Sequence, residues 1–263
     1  MANEKKDDWT LDDWIKKLKY QAEESREYRN KLYEKVDLKN KKKILDVGCG
    51  TGAVTLDIAL LSKGEVVGID IDTGKLQEAI KALRNVPNIK LMEGDVLSLP
   101  FEDETFDCVV FNIVLMHVKE QQRAVDEMAR VTQKEGYVLG TLEPDYASRI
   151  DYPEGPATPL ILESLKERGS DLYAGRKLKI LFNKAGLETE FGMDTETDFL
   201  FIKDDKRHLE LFLRDFWLLE KLFKKDGWSP QQIEEYKKNK INEIENGLCF
   251  HFTPCFYTIG KKG

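Results

Sequence analysis

Residues 44–52 read Ile-Leu-Asp-Val-Gly-Cys-Gly-Thr-Gly, and no other stretch limits the fold of this chain so tightly. Ile44, Leu45 and Val47 predict a short buried strand. Gly48, Gly50 and Gly52 then turn the chain with almost no side-chain bulk. From Thr51 to Leu61 the apolar residues return at helical spacing. A strand, a glycine turn and a helix in that order make a nucleotide site. Glycines let a ligand lie against bare backbone, and the helix N-terminus offers N–H groups that lack partners.

The pattern Gly48-x-Gly50-x-x-Ala53, with Asp70 22 residues after Gly48, also satisfies the dinucleotide fingerprint, so an NAD or FAD reading stands at this point. Three acids weigh against it. Asp46 lies two residues before the first glycine, where a carboxylate repels a pyrophosphate and welcomes an ammonium group. Val66-Val67-Gly68-Ile69 predicts a second strand ending in Asp70, and Ile89 to Gly94 a third ending near Asp95. Each acid thus falls at or just past the carboxyl end of a strand, the edge where open α/β sheets bind ligands.

With these residues in hand, the chain resembles the class I S-adenosylmethionine-dependent methyltransferases. The resemblance rests on Leu45 to Gly52, on Val67-Gly68-Ile69-Asp70, on Gly94-Asp95-Val96 and on Phe106-Asp107-Cys108-Val109-Val110. It covers roughly residues 28–195 and the last strand. It implies an α/β fold: a Rossmann-like, seven-stranded, mostly parallel sheet with helices on both faces. It also implies S-adenosylmethionine as cofactor, with S-adenosylhomocysteine as product. By the same resemblance Gly48, Cys49 and Gly50 border the methionine part, and Asp46 favours its ammonium. Asp70 accepts from the ribose hydroxyls, Ile71 packs near the adenine, and Asp95 and the Val96 backbone serve its edge. Asn112 closes the fourth strand facing the methyl donor, and Arg29 is placed to pair the cofactor carboxylate. Asn112 is followed by Ile113-Val114-Leu115, which departs from the Asn/Asp-Pro-Pro-aromatic motif of amino-methylating DNA enzymes. Asp72 reads as the cap of the next helix.

The strand pattern recurs near 43–47, 65–70, 89–93, 106–111 and 136–143, with helices near 51–62, 73–84 and 119–134. Such alternation predicts a parallel sheet covered on both faces. Thr158 and Pro159 open another helix, Arg176 to Ala185 continues as helix, and Leu187 to Met193 reads as a sixth strand. Leu11, Trp14, Ile15 and Leu18 share one helical face after a capping pair, Thr10 and Asp13. A second helix follows around Tyr28 and Leu32. Residues 197–247 exceed the minimal fold. Leu209, Phe212, Leu213, Phe216 and Phe223 form a helical stripe, with Phe201, Trp217 and Trp228 adding aromatic surface. Ser229, Pro230 and Gln232 start a further helix, and 254–260 is the last strand. The expected organisation is an N-terminal helical arm over 1–36 and a methyltransferase core over 37–196. A helical insertion over 197–247 serves as substrate lid, and the last core strand lies within 248–263.

Composition bounds the function. The net charge of −7 disfavours a general nucleic-acid binder, and 41% hydrophobic with 34% charged residues suits a globular chain. Residues 1–8 read as a charged tail without an apolar core, and no stretch is long enough to span a bilayer, so a cytoplasmic setting is expected. Cys49, Cys108, Cys249 and Cys255 form no C-x-x-C pair, and no His/Asp/Glu cluster has metal spacing. Cys249 and Cys255 could hold a soft metalloid; a strand-face reading is simpler.

For catalysis the candidates are His117, Glu143, Asp145 and Tyr146, with Asp151 beside them on the segment Glu143 to Tyr152, expected to line an acceptor pocket. His208 and His251 carry no sequence context for catalysis. The reading is a methyltransferase for a small-molecule acceptor. Its alternatives are a methyltransferase for a protein or tRNA site, an NAD-dependent oxidoreductase, and a non-catalytic cofactor-binding module. The acceptor atom and the oligomeric state are not legible in the sequence.

Overall fold

The computed structural model describes residues 9–195, 197, 202 and 204–263. Residues 1–8, read above as a tail, and Phe201 lie outside the described residues. The chain opens with α1 (Leu11–Glu24) and α2 (Arg26–Lys35). The core then alternates: β1 (Lys43–Val47), α3 (Ala53–Leu61), β2 (Glu65–Asp70), α4 (Thr73–Leu83), β3 (Ile89–Glu93), β4 (Phe106–Phe111), α5 (Gln121–Val131) and β5 (Thr132–Pro144). A short strand β6 (Ile150–Tyr152) leads to α6 (Ala157–Glu167), α7 (Ala174–Lys184) and β7 (Glu188–Asp194). Two long helices, α8 (Asp205–Lys225) and α9 (Pro230–Glu245), precede β8 (Phe250–Phe252) and β9 (Cys255–Lys261).

The main sheet has seven strands in the order β3-β2-β1-β4-β5-β9-β7. β9 runs antiparallel to β5 and β7, and the other pairings are parallel. The order reverses between β1 and β4, which opens a crevice at the carboxyl ends of these two strands. Strands of such a sheet are buried on both faces. In β1, Leu45 and Val47 pack with α5 and α7, through Val125, Met128, Leu178 and Phe182. Ile44 packs the other way, with Leu32, Tyr33 and Ile58 of α2 and α3. Burying a side chain of this size contributes about 1.5–3 kcal/mol, so the two faces hold the sheet between helical layers.

The strands and helices foreseen from periodicity are all present, with small shifts of their ends. Pro159 is the third residue of α6, not the first, because the helix already starts at Ala157. Gly186 ends the turn after α7 with φ +77, a conformation that a side chain disfavours. The capping pair at α1 forms as expected: Thr10 Oγ1 accepts from Asp13 N at 3.2 Å and Asp13 accepts from Thr10 N at 2.8 Å. Ser229 and Gln232 make the same box at α9. The ribbon β6–β8, an antiparallel pair of Ile150–Tyr152 with Phe250–Phe252, was not foreseen. Three residues are too few to show a period, and the partner lies about 100 positions away.

α8 and α9 fold against each other and against α6. Phe223 stacks on Trp228 at 4.4 Å and meets Tyr236 edge-on at 4.7 Å. Phe216, Ile233 and Leu160 complete that cluster. α8 is tied to α1 by Arg214, which reaches Glu24 at 2.7 Å, and by the ion pairs Arg207–Glu24 and Lys221–Asp13. Phe223→Ala is expected to destabilise the protein by about 3–5 kcal/mol. Urea unfolding followed by tryptophan fluorescence tests this, since Trp228 reports on the same cluster.

Candidate functional site

The glycine turn is built as its sequence suggests. Gly48 has φ +70, and a Cβ there would stand 2.6 Å from Val114 Cγ2. Backbone at this position is therefore left bare by both conformation and space. Leu18 of α1 packs over the turn, 3.1 Å from where a Cβ on Gly50 would lie. The arm thus covers the glycine turn.

Around the crevice lies a cavity of about 990 Å³. That is the upper end of the size of small-molecule sites, about 300–1,000 Å³. Asp46, Gly48, Cys49, Gly50, Asp70, Ile71, Asp95, Val96 and Asn112 all line it. Asp70 anchors the turn, accepting from Gly50 N at 2.6 Å and from Asp72 N at 2.8 Å. Asp72 caps α4 by accepting from Lys75 N at 3.0 Å. Asp95 accepts from Leu97 N at 2.9 Å. Asn112 Oδ1 accepts from Thr141 Oγ1 at 2.9 Å, which fixes its amide. Asp46 is buried and accepts from Thr55 Oγ1 at 2.6 Å. Burial pushes its carboxyl up to about 7, against the Thr55 hydrogen bond and the Arg29 charge. Burial also raises the Cys49 thiol, so this residue acts as a small apolar wall.

Three expected site residues stand elsewhere. Arg29 is not on the cavity; it is fully buried and binds Asp57 of α3 and the Ser25 hydroxyl. Its charge is matched there, so it holds the arm to the core instead of a ligand. Glu143 is also buried away from the cavity. Its carboxylate accepts backbone N–H groups of Val114 and Leu115, each at 3.1 Å, and of Met116 at 2.7 Å. Burial raises Glu143 to about 7, against those three donors. It shapes the loop after β4 and offers no open oxygen for proton transfer. Asp145 is held by Arg176, with Nη2 donating to Oδ1 at 2.7 Å, and does not line the cavity. His117 and Tyr146 do line it; Ser170 Oγ stands 3.3 Å from His117 Nδ1.

The cavity continues beyond the crevice under α1, α6, α8 and α9, and sequence reasoning missed much of this end. Lys17, Arg168, His208, Tyr236, Cys249 and His251 line it. His251 Nδ1 stands 2.7 Å from Asp151, which also accepts from Arg149 Nε at 2.6 Å and from Thr158. Burial opposes ionisation of Asp151, yet His251 and Arg149 hold its carboxyl well below the usual range. A carboxylate-held imidazole in a cavity wall can take up a proton. Burial lowers His208 to about 4, so it is neutral near pH 7. Cys249 is on the wall and Cys255 is buried in β9 outside it, so the two do not form a shared metalloid site. Among the described residues no group of three or more His, Cys, Asp or Glu could hold a metal ion. Nor is any described helix long and apolar enough to cross a membrane. The ribbon β6–β8 brings Asp151 and His251 together, so no local signal could have revealed that pair.

Residues 45–140 match the family described as methyltransferase domain. An uncharacterized methyltransferase of Schizosaccharomyces pombe is 34% identical over 164 residues, covering 58% of this chain and 57% of that protein. The demethylmenaquinone methyltransferase of Staphylococcus aureus strain MRSA252 is 35% identical over 119 residues, covering 44% of this chain and 49% of that protein. The chain thus spans about half the length of these curated relatives. Among solved structures it is similar to phosphoethanolamine N-methyltransferase 2 of Haemonchus contortus, in complex with phosphomonomethylethanolamine and S-adenosylhomocysteine. The TM-score is 0.60 at 18% identity, covering 90% of this chain and 53% of that chain. At that identity the likeness is one of fold.

Arg29→Ala is expected to cost about 3–5 kcal/mol of stability, because it leaves the Asp57 carboxylate buried with less than its full set of partners. Urea unfolding of the variant beside the wild-type protein checks it, with the midpoint expected to fall.

Proposed function

The segment 45–140 is a methyltransferase domain of the class I S-adenosylmethionine-dependent type, and on that premise we propose that this protein methylates a small-molecule acceptor. The observation behind the proposal is one continuous cavity. At its sheet end it gathers Asp46, the glycine turn, Asp70, Asp95 and Asn112, and it runs on beneath α1, α6 and α8. The bare backbone of Gly48 and the three acids at successive strand ends suit the cofactor's methionine, ribose and adenine parts. Bound there, S-adenosylmethionine supplies a methyl group already activated for in-line displacement.

The chain's own contribution is alignment, which can supply on the order of 7–11 kcal/mol. In this reading Asp70 accepts from the ribose hydroxyls while its other lone pairs hold the turn. Asp46 faces the ammonium group. Arm and insertion together form the roof, so α8 and α9 act as the lid and the acceptor lies between roof and sheet. A roofed cavity favours a small acceptor over a macromolecular one. Tyr146 and His117 border it at the sheet end, beside the reacting atom of the acceptor, and His251, held by Asp151, borders the helical end.

Calorimetric titration with S-adenosylhomocysteine and NAD in parallel tests the proposal: the first should bind and the second should not. Binding of NAD alone overturns it. Asp70→Ala should weaken S-adenosylhomocysteine by roughly 1.5–3 kcal/mol, the scale of lost charged hydrogen bonds. The pH dependence carries a sign. Pairing with the ligand's ammonium requires the ionised form of Asp46, whose carboxyl stands at about 7 in the free protein. Binding therefore releases a proton below that pH, and affinity should rise about tenfold from pH 6 to pH 8. Asp46→Asn should flatten the profile.

A further inference from the structure

Acids predominate at the sheet end of the cavity, which carries Asp46, Asp70, Asp72 and Asp95, with Lys75 paired to Asp72 at 3.0 Å. The far end, under the helices, carries Lys17, Arg149, Arg168 and Lys240 against Asp151 and Asp215. This surplus of cations stands inside a chain whose net charge is −7. Both acids of the far end are already matched. Asp151 is taken by Arg149, His251 and Thr158. Asp215 receives Arg214 through two hydrogen bonds, at 3.0 and 2.8 Å. Lys240 pairs with Glu243.

Lys17 differs from these cations. No hydrogen bond or ion pair joins its Nζ to any described residue, although α1 turns it to the cavity beside Trp14, Leu18 and Gln21. Burial holds its ammonium below the usual lysine range. Asp215 opposes that shift, and the charges of Arg214, Arg149 and Arg168 add to it. Arg168 is fixed nearby, its guanidinium 4.7 Å from the Trp9 ring and 5.8 Å from the Trp14 ring. The cavity wall also carries the apolar side chains of Ile161, Leu211, Phe212 and Leu219. A partly desolvated cation among like charges is costly, and an anion arriving there supplies a partner and relieves the repulsion.

We propose that the acceptor is a small organic anion whose carboxylate or phosphate group is held by Lys17 at the helical end of the cavity, in the field of Arg149 and Arg168. This rests on the methyltransferase reading and gives its acceptor a charge and an orientation. With the anion anchored under α1, the rest of the acceptor lies along the apolar wall and its nucleophile faces the acid-lined sheet end. The two matched acids of the far end keep their partners, so the bound anion meets little repulsion.

The test is calorimetric titration of the full chain, saturated with S-adenosylhomocysteine, with benzoate, phenyl phosphate and the neutral benzamide as probes. At least one anion should bind, and benzamide should bind about tenfold more weakly or not at all. The tighter anion identifies carboxylate or phosphate as the recognised group. Lys17→Met should weaken that anion about tenfold, Lys17→Arg should retain it, and both variants should keep the wild-type affinity for S-adenosylhomocysteine, which also reports that they are folded. Equal binding of benzamide, failure of both anions, or an unchanged anion affinity in Lys17→Met overturns the proposal. So does loss of S-adenosylhomocysteine affinity in Lys17→Met with retention in Lys17→Arg, which would assign the ammonium to the cofactor's own carboxylate. Failure of the wild-type protein to bind S-adenosylhomocysteine is a separate result and overturns the methyltransferase reading itself.

Discussion

The position of β1 in the sheet is the constraint on which the rest depends. It hydrogen-bonds to β2 on one side and to β4 on the other, both in parallel, and the strand order reverses at that point. Parallel pairing on both edges requires helical crossovers, and helices cover both faces of β1, which is why Ile44, Leu45 and Val47 are apolar. The reversal sends the following connections apart and leaves a crevice at the carboxyl ends of β1 and β4. Every acid assigned to the cofactor hangs on this edge or next to it. Asp46 belongs to β1 itself, Asp70 ends β2, and Asp95 follows β3.

A crevice alone makes an open site. Here two segments distant in sequence, α1 and α8, also line the cavity, and charged pairs between Glu24 and Arg214 and between Asp13 and Lys221 join them. Such pairs contribute little stability where solvent reaches them, about 0–1 kcal/mol each. Their effect is positional: they set which faces of the two helices look inward. The apolar weight is carried by the cluster around Phe223 and Trp228, which fixes α8 to α9 and both to α6. The outcome is a cavity in which acids predominate at one end and cations at the other. That polarity belongs to neither the core nor the insertion alone, since Lys17, Arg149 and Arg168 come from three separate elements or loops.

Much of the candidate site was readable because it is local. The turn from Gly48 to Gly52, and the acids that close successive strands, depend on residues within a few positions of one another. Residue type is a poorer guide where direction decides. Glu143 and Asp145 lie at the end of β5, near the cavity, yet their carboxylates turn inward, to backbone donors of the loop after β4 and to Arg176. Arg29 sits on the arm as expected, but Asp57, one helix away, takes its charge. In each case a buried charge went to the partner that could compensate it, and no spacing rule reveals which partner that is. His251 shows the converse: it looked idle in sequence, and its pairing with Asp151 exists only because β6 and β8 meet.

The sequence by itself determined the strand and helix order, the glycine turn, the acids at the sheet edge and the class of enzyme that they imply. These follow from periodicity, from backbone freedom at glycine and from spacing, all of which act over short distances along the chain. Tertiary structure alone decided which carboxylates face the cavity, that the arm covers the turn, and that cations collect at the far end. Those outcomes depend on contacts between segments as far apart as Glu24 and Arg214 or Asp151 and His251. Burial and charge pairing, which set them, are properties of the packed molecule and not of any one stretch of it.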